Sequence, residues 1–370
     1  DFGEVAGNAR FVQAKQGELG GTGIATFSDR LRNAVRGGSV WDLDPRVQGF
    51  GSGLLTADNA SGANGDQGAQ AERLAYYTDL IQLGLAGNLR SFRFGSNSRH
   101  TELAGALLSF EERPAGYADQ PDEAINYVDA HDNETLFDAL TLKLHPATPM
   151  AARVRLNTLC LALATLGQSP VLWHAGSDLL RSKSLDRNSY NSGDWFNAID
   201  WSGQRSTFGV GLPPAPDNGR RWEGMRPFLR NPANKPDAGA IVTAREQARD
   251  LLRLRAGSPL FWLGSAVLIH EMVSFPCAGP EAPAGLLVMR IADVRGRGID
   301  PERRAVVVAF NAAPWGVDAK VEGMAGAALT LSRVQRAGSD VVVKQTRWDR
   351  ESGTLHVPGR TVAVLEELRF

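Results

Sequence analysis

The sequence predicts an α/β fold in two parts, a larger parallel α/β part over residues 1–258 and a small antiparallel β-sandwich over 259–370. Three observations carry that reading. A short apolar run that breaks into a polar cluster and is followed by a helical pattern occurs over 125–167 and again over 171–257, as in parallel α/β folds. From about residue 260 the pattern changes to short β-rich runs separated by Gly, Pro and Asp. The length, 370 residues, suits one large domain and one small one.

The elements follow in order. Residues 22–37, TGIATFSDRLRNAVRG, predict a short strand and a helical turn closed by Gly37 and Gly38. The tract 51–70, GSGLLTADNASGANGDQGAQ, predicts a long surface excursion. Leu74, Tyr77, Leu80 and Ile81 at helical spacing predict a helix over 71–83. The run from Ile125 to Val128, with Asn126 inside it, predicts a buried strand that breaks off into His131-Asp132-Asn133-Glu134. Thr148 as cap, Pro149 at the first helical position and Gly167 as left-handed exit punctuate a helix over 148–167 with the stripe Leu156, Leu159, Leu163 and Leu166. Val171-Leu172-Trp173 predicts a further buried strand, ending in His174, Asp178 and Arg181. The capping box Thr243-Ala-Arg-Glu246 announces a helix that ends at Gly257 and Pro259. Beyond it, runs at 305–310, 327–334, 340–345, 354–357 and 361–368 predict the strands of the sandwich.

Charges nearly cancel, 40 Lys and Arg against 41 Asp and Glu, with no block of like sign, so nucleic acid has no electrostatic footprint here. The most apolar run, around Leu156 to Leu166, is too short and mixed to span a bilayer. Cys160 falls among leucines and reads as core, far from Cys277, which argues against a disulfide framework. His100, His145, His270 and His356 are scattered without metal-ligand spacing, so no zinc site is expected. The chain opens Asp1-Phe2-Gly3-Glu4 with no methionine and no apolar signal core, and reads as one cut mid-domain. Localisation stays open among extracellular, periplasmic, plastidic and cytoplasmic.

The stretch 125–143, INYVDAHDNETLFDALTLK, resembles the fourth signature region of α-amylase-clan glycoside hydrolases in the form used by pullulanases and limit dextrinases. DFGEVAGNAR, GTGIATFSDRLRNAVRGGS, GLAGNLRSF, LLRSKSLDRNSYNSGDWFNAIDW, SPLF and VPGRTVAVLEE resemble the same enzymes in the same order, over essentially the whole chain. The resemblance implies that residues 1–258 are the C-terminal part of a (β/α)8 barrel, from just after its fifth strand, and that 259–370 form a C-terminal β-sandwich. It implies retaining hydrolysis of α-1,6 links in branched α-glucans, which needs two carboxyl groups about 5–5.5 Å apart. In the family these are an Asp and a Glu that precede the segment aligned with Asp1, so the chain is expected to lack both and to be inactive alone. No cofactor is required. A bound calcium ion is compatible with the family, with no ligand set legible here.

Within the resemblance, Asp132 is the third acid, which stabilises the transition state at the sugar being cut, and His131 donates to a neighbouring hydroxyl. Read without the resemblance, a His-Asp pair at a strand end is more often an ion-paired or solvated loop terminus. Asp194, in NSGDWFN, resembles an acid that holds sugars further along the glycone side. Arg181, Lys183, Tyr190 and Trp195 share its loop and offer donors and stacking faces, or else a salt-bridged loop with Trp195 in the core. Trp173 reads as packing, while His174, Arg30 and Arg36 stay undecided. Relatives carry Glu where this chain has Asp178, which receives no role. The alternatives are an isoamylase-like or α-amylase-like member of the clan, or a non-catalytic carbohydrate-binding remnant.

Overall fold

The structure, a computed structural model, describes residues 15–369. The Asp1-Phe2-Gly3-Glu4 opening lies outside the described residues. The chain runs through β1 (Thr26–Phe27), α1 (Asp29–Arg36) and α2 (Gln67–Leu85) into two antiparallel pairs. These are β2 (Arg93–Gly95) with β3 (Glu102–Ala104), and β4 (Ser109–Phe110) with β5 (Arg113–Pro114). Next come β6 (Ala124–Ile125), α3 (Leu136–Lys143) and α4 (Met150–Thr165). Short helices α5 (Asp194–Asn197), α6 (Ala215–Asn218) and α7 (Trp222–Arg230) lie in the stretch before α8 (Ala238–Ala256) and α9 (Ala266–Met272).

The expected C-terminal part of a (β/α)8 barrel over residues 1–258 is not what these elements form. Among the described residues, parallel pairing is limited to β1 with β6, in register Thr26↔Ala124 and Phe27↔Ile125, and single bridges Asn126↔Val171 and Leu89↔Ala118. The result is a mixed α/β fold with several small open sheets. Closing a barrel takes eight parallel strands, and here the parallel segments leave the ladder after one to three residues. Tyr127 turns to pack edge-on against Phe27, with ring centroids 5.1 Å apart, and Asp129 turns into a loop.

Local expectations differ from the structure for identifiable reasons. α8 starts five residues before Thr243, because Asp237 caps it by accepting from Ala240 N at 2.8 Å. The Thr243 hydroxyl instead donates to Gly239 O within the helix. Gly167 is small for proximity: a Cβ there would stand 3.0 Å from Asn126 Nδ2 and 3.1 Å from Leu85 Cα. The run 340–345 is not a strand. Asp340 accepts from Val342 N at 2.9 Å and pairs with Arg155 at 2.8 Å, bending the chain into a 3₁₀ turn at Val343–Gln345.

The remaining strands are β7 (Val273–Ser274), β8 (Leu286–Ala292), β9 (Arg303–Asn311), β10 (Val317–Lys320), β11 (Leu329–Leu331), β12 (Arg347–Asp349), β13 (Thr354–Val357) and β14 (Thr361–Leu368), with α10 (Arg333–Ala337) after β11. They form an antiparallel five-stranded sheet, β11-β14-β9-β8-β7, and a three-stranded one, β10-β13-β12. The period of two along a strand divides the residues of the larger sheet between two cores. Val307, Ala309, Ala363 and Leu365 meet Val317, Leu355 and Val357 of the smaller sheet. Val306, Val308, Phe310, Val362 and Val364 join the core that includes Leu159, Leu163 and Leu251 of the helices. A sheet covered on both faces reads as the continuous apolar runs seen in this part of the sequence.

Candidate active site

Three parallel segments end side by side, at Phe27, at Tyr127 and at Leu172. Ser28 N donates to Ile125 O, and Asn126 exchanges backbone bonds with Pro170 O and Leu172 N. Asn126 explains its own place in an apolar run. Its buried amide donates to Gly84 O at 2.9 Å and accepts from Asn88 Nδ2 at 3.1 Å, while Ser28 Oγ donates to Asn88 Oδ1 at 2.8 Å. The network pins the segments to α2. Above their C-terminal ends opens a cavity of about 350 Å³, within the size range of small-molecule sites. Its walls include Phe27, Arg32, Tyr127, His131, Asp132, Trp173 and His174.

The loop from Asp129 to Thr135 carries His131 and Asp132. Asp129 is buried, and its Oδ2 accepts from Leu136 N at 2.9 Å and Ser177 Oγ at 2.7 Å, with His174 Nδ1 3.5 Å away. Thr135 caps α3 by accepting from Asp138 N. Between these anchors His131 and Asp132 stand out into solvent, 88 % and 77 % exposed, with Nε2 3.4 Å from Oδ1. No ion pair to an arginine or lysine engages Asp132 among the described residues. Asn133 takes the left-handed conformation, φ +61°, that closes the turn.

Lys183 is buried beneath this loop, away from the cavity wall. Its Nζ donates to His131 O at 3.1 Å and to Asn133 O at 2.6 Å, and burial holds its pKa below the usual lysine value. Asp138 accepts from Ser182 Oγ at 2.5 Å and from Lys183 N at 2.7 Å, and burial pushes its carboxyl up to about 6. Arg181 is placed against His174 Nε2 at 3.0 Å and donates to Asn197 O at 2.6 Å. Tyr190 and Trp195 are 85 % and 67 % exposed, with Trp195 Nε1 donating to Val210 O, so Trp195 is not in the core. Asp194 is exposed at the start of α5. The cavity thus gathers His131 and Asp132, and leaves Arg181, Lys183, Tyr190, Asp194 and Trp195 off its wall.

Other residues enter that the sequence left undecided or unremarked. Arg32 and Arg36, one turn apart on α1, both reach the cavity. Arg32 donates to the Tyr127 hydroxyl at 2.5 Å, and Arg36 donates to Val128 O at 3.2 Å and lies 3.8 Å from Glu134. Arg30 points elsewhere, over the rings of Phe110 and Tyr117. The i, i+4 pairing was the available signal, but nothing in the sequence says which face of α1 meets the cavity. The described residues bring no group of three or more His, Cys, Asp or Glu together to hold a metal, so no calcium ligand is assigned. No helix among them is long and apolar enough to cross a membrane.

Lys143, buried beside Arg36 with Nζ on Val47 O, is pushed from 10.5 down to about 7, first by burial and then by Arg36. Between those values the unfolded chain binds a proton that the folded chain does not, so stability rises with pH across that window. It is fully present above 10.5 and lost as pH falls through about 7. Lys143→Met is expected to flatten the rise of the urea midpoint between pH 7 and 10. An unchanged profile would show that Lys143 is not the group responsible.

The model of the family described as alpha-1,6-glucosidases, pullulanase-type, C-terminal, matches residues 203–367. Pullulanase 1, chloroplastic, of Arabidopsis thaliana is 42 % identical over 376 residues, covering 100 % of this chain and 38 % of that protein. The maltotriose complex of PulA from Klebsiella pneumoniae superposes with a TM-score of 0.88 at 35 % identity, over 96 % of this chain and 38 % of that one. PulA from Klebsiella oxytoca gives 0.90 at 36 %, over 98 % and 34 %. The chain therefore spans somewhat over a third of the length of these relatives. With sequence and backbone alike matched along nearly all of its residues, the chain belongs to the pullulanase-type α-1,6-glucosidase family.

Proposed function

We propose that this chain supplies the transition-state-stabilising wall of a debranching hydrolase that cuts α-1,6 links in pullulan, amylopectin and limit dextrins with retention. The observation that carries the reading is an exposed carboxylate, Asp132, presented on a cavity rim by a loop anchored from below. As the glycosidic bond breaks, positive charge develops on the sugar ring and its hydroxyls become stronger donors. A carboxylate held beside them accepts bonds that tighten only then, which lowers the barrier without covalent chemistry. His131, 3.4 Å from Asp132, donates to an adjacent hydroxyl. Tyr190, Asp194 and Trp195 offer a stacking and hydrogen-bonding surface for sugars lying outside the cavity. The division at residue 258 into a catalytic part and a C-terminal part belongs to the same proposal.

Retaining hydrolysis needs a nucleophile and an acid/base. Among the described residues the cavity wall holds one carboxylate, Asp132, while Asp129 is buried and occupied by Leu136 and Ser177. The 370-residue polypeptide is therefore expected to release no reducing sugar from pullulan by itself. Joined to the portion of a pullulanase relative that it does not match, it is expected to gain activity. Turnover by the purified polypeptide alone would overturn the assignment of a stabilising, non-covalent role.

A further inference from the structure

We infer that Lys183 is a positioning residue for Asp132, its buried ammonium bridging the two carbonyls on either side of that residue and fixing the direction of the carboxylate. The inference rests on the proposed function. The Asp132 side chain has little to hold it: its contact with His131 spans 3.4 Å between two solvated groups, and such exposed pairs contribute little. Its direction is therefore set by its backbone. Lys183 Nζ donates to His131 O at 3.1 Å and Asn133 O at 2.6 Å, closing a ring that contains both peptide units of Asp132. Those two carbonyls converge on one atom because Asn133 adopts φ +61°. A tetrahedral ammonium can bridge converging carbonyls, whereas the planar fork of arginine suits parallel acceptors.

Lys183 is itself fixed. Its backbone N–H and that of Leu185 donate to Asp138 Oδ2 at 2.7 and 3.2 Å, and Ser182 Oγ donates to Asp138 Oδ1. Asp138 lies in the first turn of α3, whose first N–H, on Leu136, is held by Asp129. The loop is thus closed from both ends and from beneath, and Lys183, buried and absent from the cavity wall, has no access to sugar.

The test is a double-mutant cycle in the hydrolytically active protein. Lys183→Met is expected to lower kcat about a hundredfold, the scale of a misplacement of about 1 Å, with KM changed less than about threefold. In an Asp132→Asn background the same substitution is expected to change kcat by less than about threefold, since the group it positions is gone. Additive losses, or a raised KM at unchanged kcat, would overturn the inference. If Asp132→Asn alone leaves activity intact, the proposed function falls as well. Should Lys183→Met fail to fold, Lys183→Gln is carried through the same cycle with the same two readings.

Discussion

Asp132→Asn is expected to reduce kcat on pullulan by about a thousandfold in the active protein, with KM within about threefold of the parent. The amide keeps the size and one acceptor oxygen but loses the charge, and one of its faces becomes a donor. In the ground state the sugar hydroxyls bind either group with similar strength. At the transition state a full negative charge beside the electron-poor ring is lost, and that difference appears in kcat. Because Asp132 is 77 % exposed and its only ion-pair contact among the described residues is His131, the substitution is expected to leave the urea midpoint unchanged. A variant that raises KM alone would make Asp132 a simple ground-state ligand. One that loses stability in step with activity would make it structural.

The second large effect is expected at Asp129. Asp129→Ala removes the acceptor of both Leu136 N–H and the Ser177 hydroxyl and leaves them buried without partners, a cost of about 3 kcal/mol. It also frees one end of the loop that carries His131 and Asp132, so activity is expected to fall further than stability explains. Asp129→Asn retains one oxygen, and its loss is expected to be about half as large. Urea denaturation of the three proteins, with kcat measured well below the transition, checks the order. Equal stability for Asp129→Ala and the parent would show that water replaces the carboxylate at no cost.

The place of His131 and Asp132 at the end of a strand segment was more legible in the sequence than the architecture around it. His131 and Asp132 stood out because the stretch 125–143 resembles a family signature region; a His-Asp pair at a strand end by itself is more often a solvated loop terminus. The supporting groups did not. Lys183 donates to carbonyls distant in sequence, and Asp129 accepts from the Leu136 N–H and the Ser177 hydroxyl; a bond to a backbone group leaves no trace in the identity of the residue that carries it. The sequence leaves Lys183 and Arg181 either as donors to sugar or as parts of a salt-bridged loop. The buried stem of Lys183 carries its charge to the carbonyls of His131 and Asn133, and the half-buried Arg181 donates to that of Asn197. The barrel expectation came from the resemblance; the apolar runs themselves predict only a parallel α/β fold, and they pair for only a residue or two, because register between distant segments is set by tertiary contacts such as those of Asn126. Capping residues misled in the same way at Thr243, where a local bond to Gly239 competed with the expected one.

The position of β14 has a consequence for biosynthesis. It lies inside the five-stranded sheet, between β9 and β11, although both neighbours precede it in the chain. While the ribosome is still adding residues 361–368, β9 and β11 must wait with an unfilled slot between them, their backbone groups open to any extended peptide nearby. Slowing translation just before that strand should lengthen this interval and increase dependence on chaperones, without altering a single contact of the finished protein.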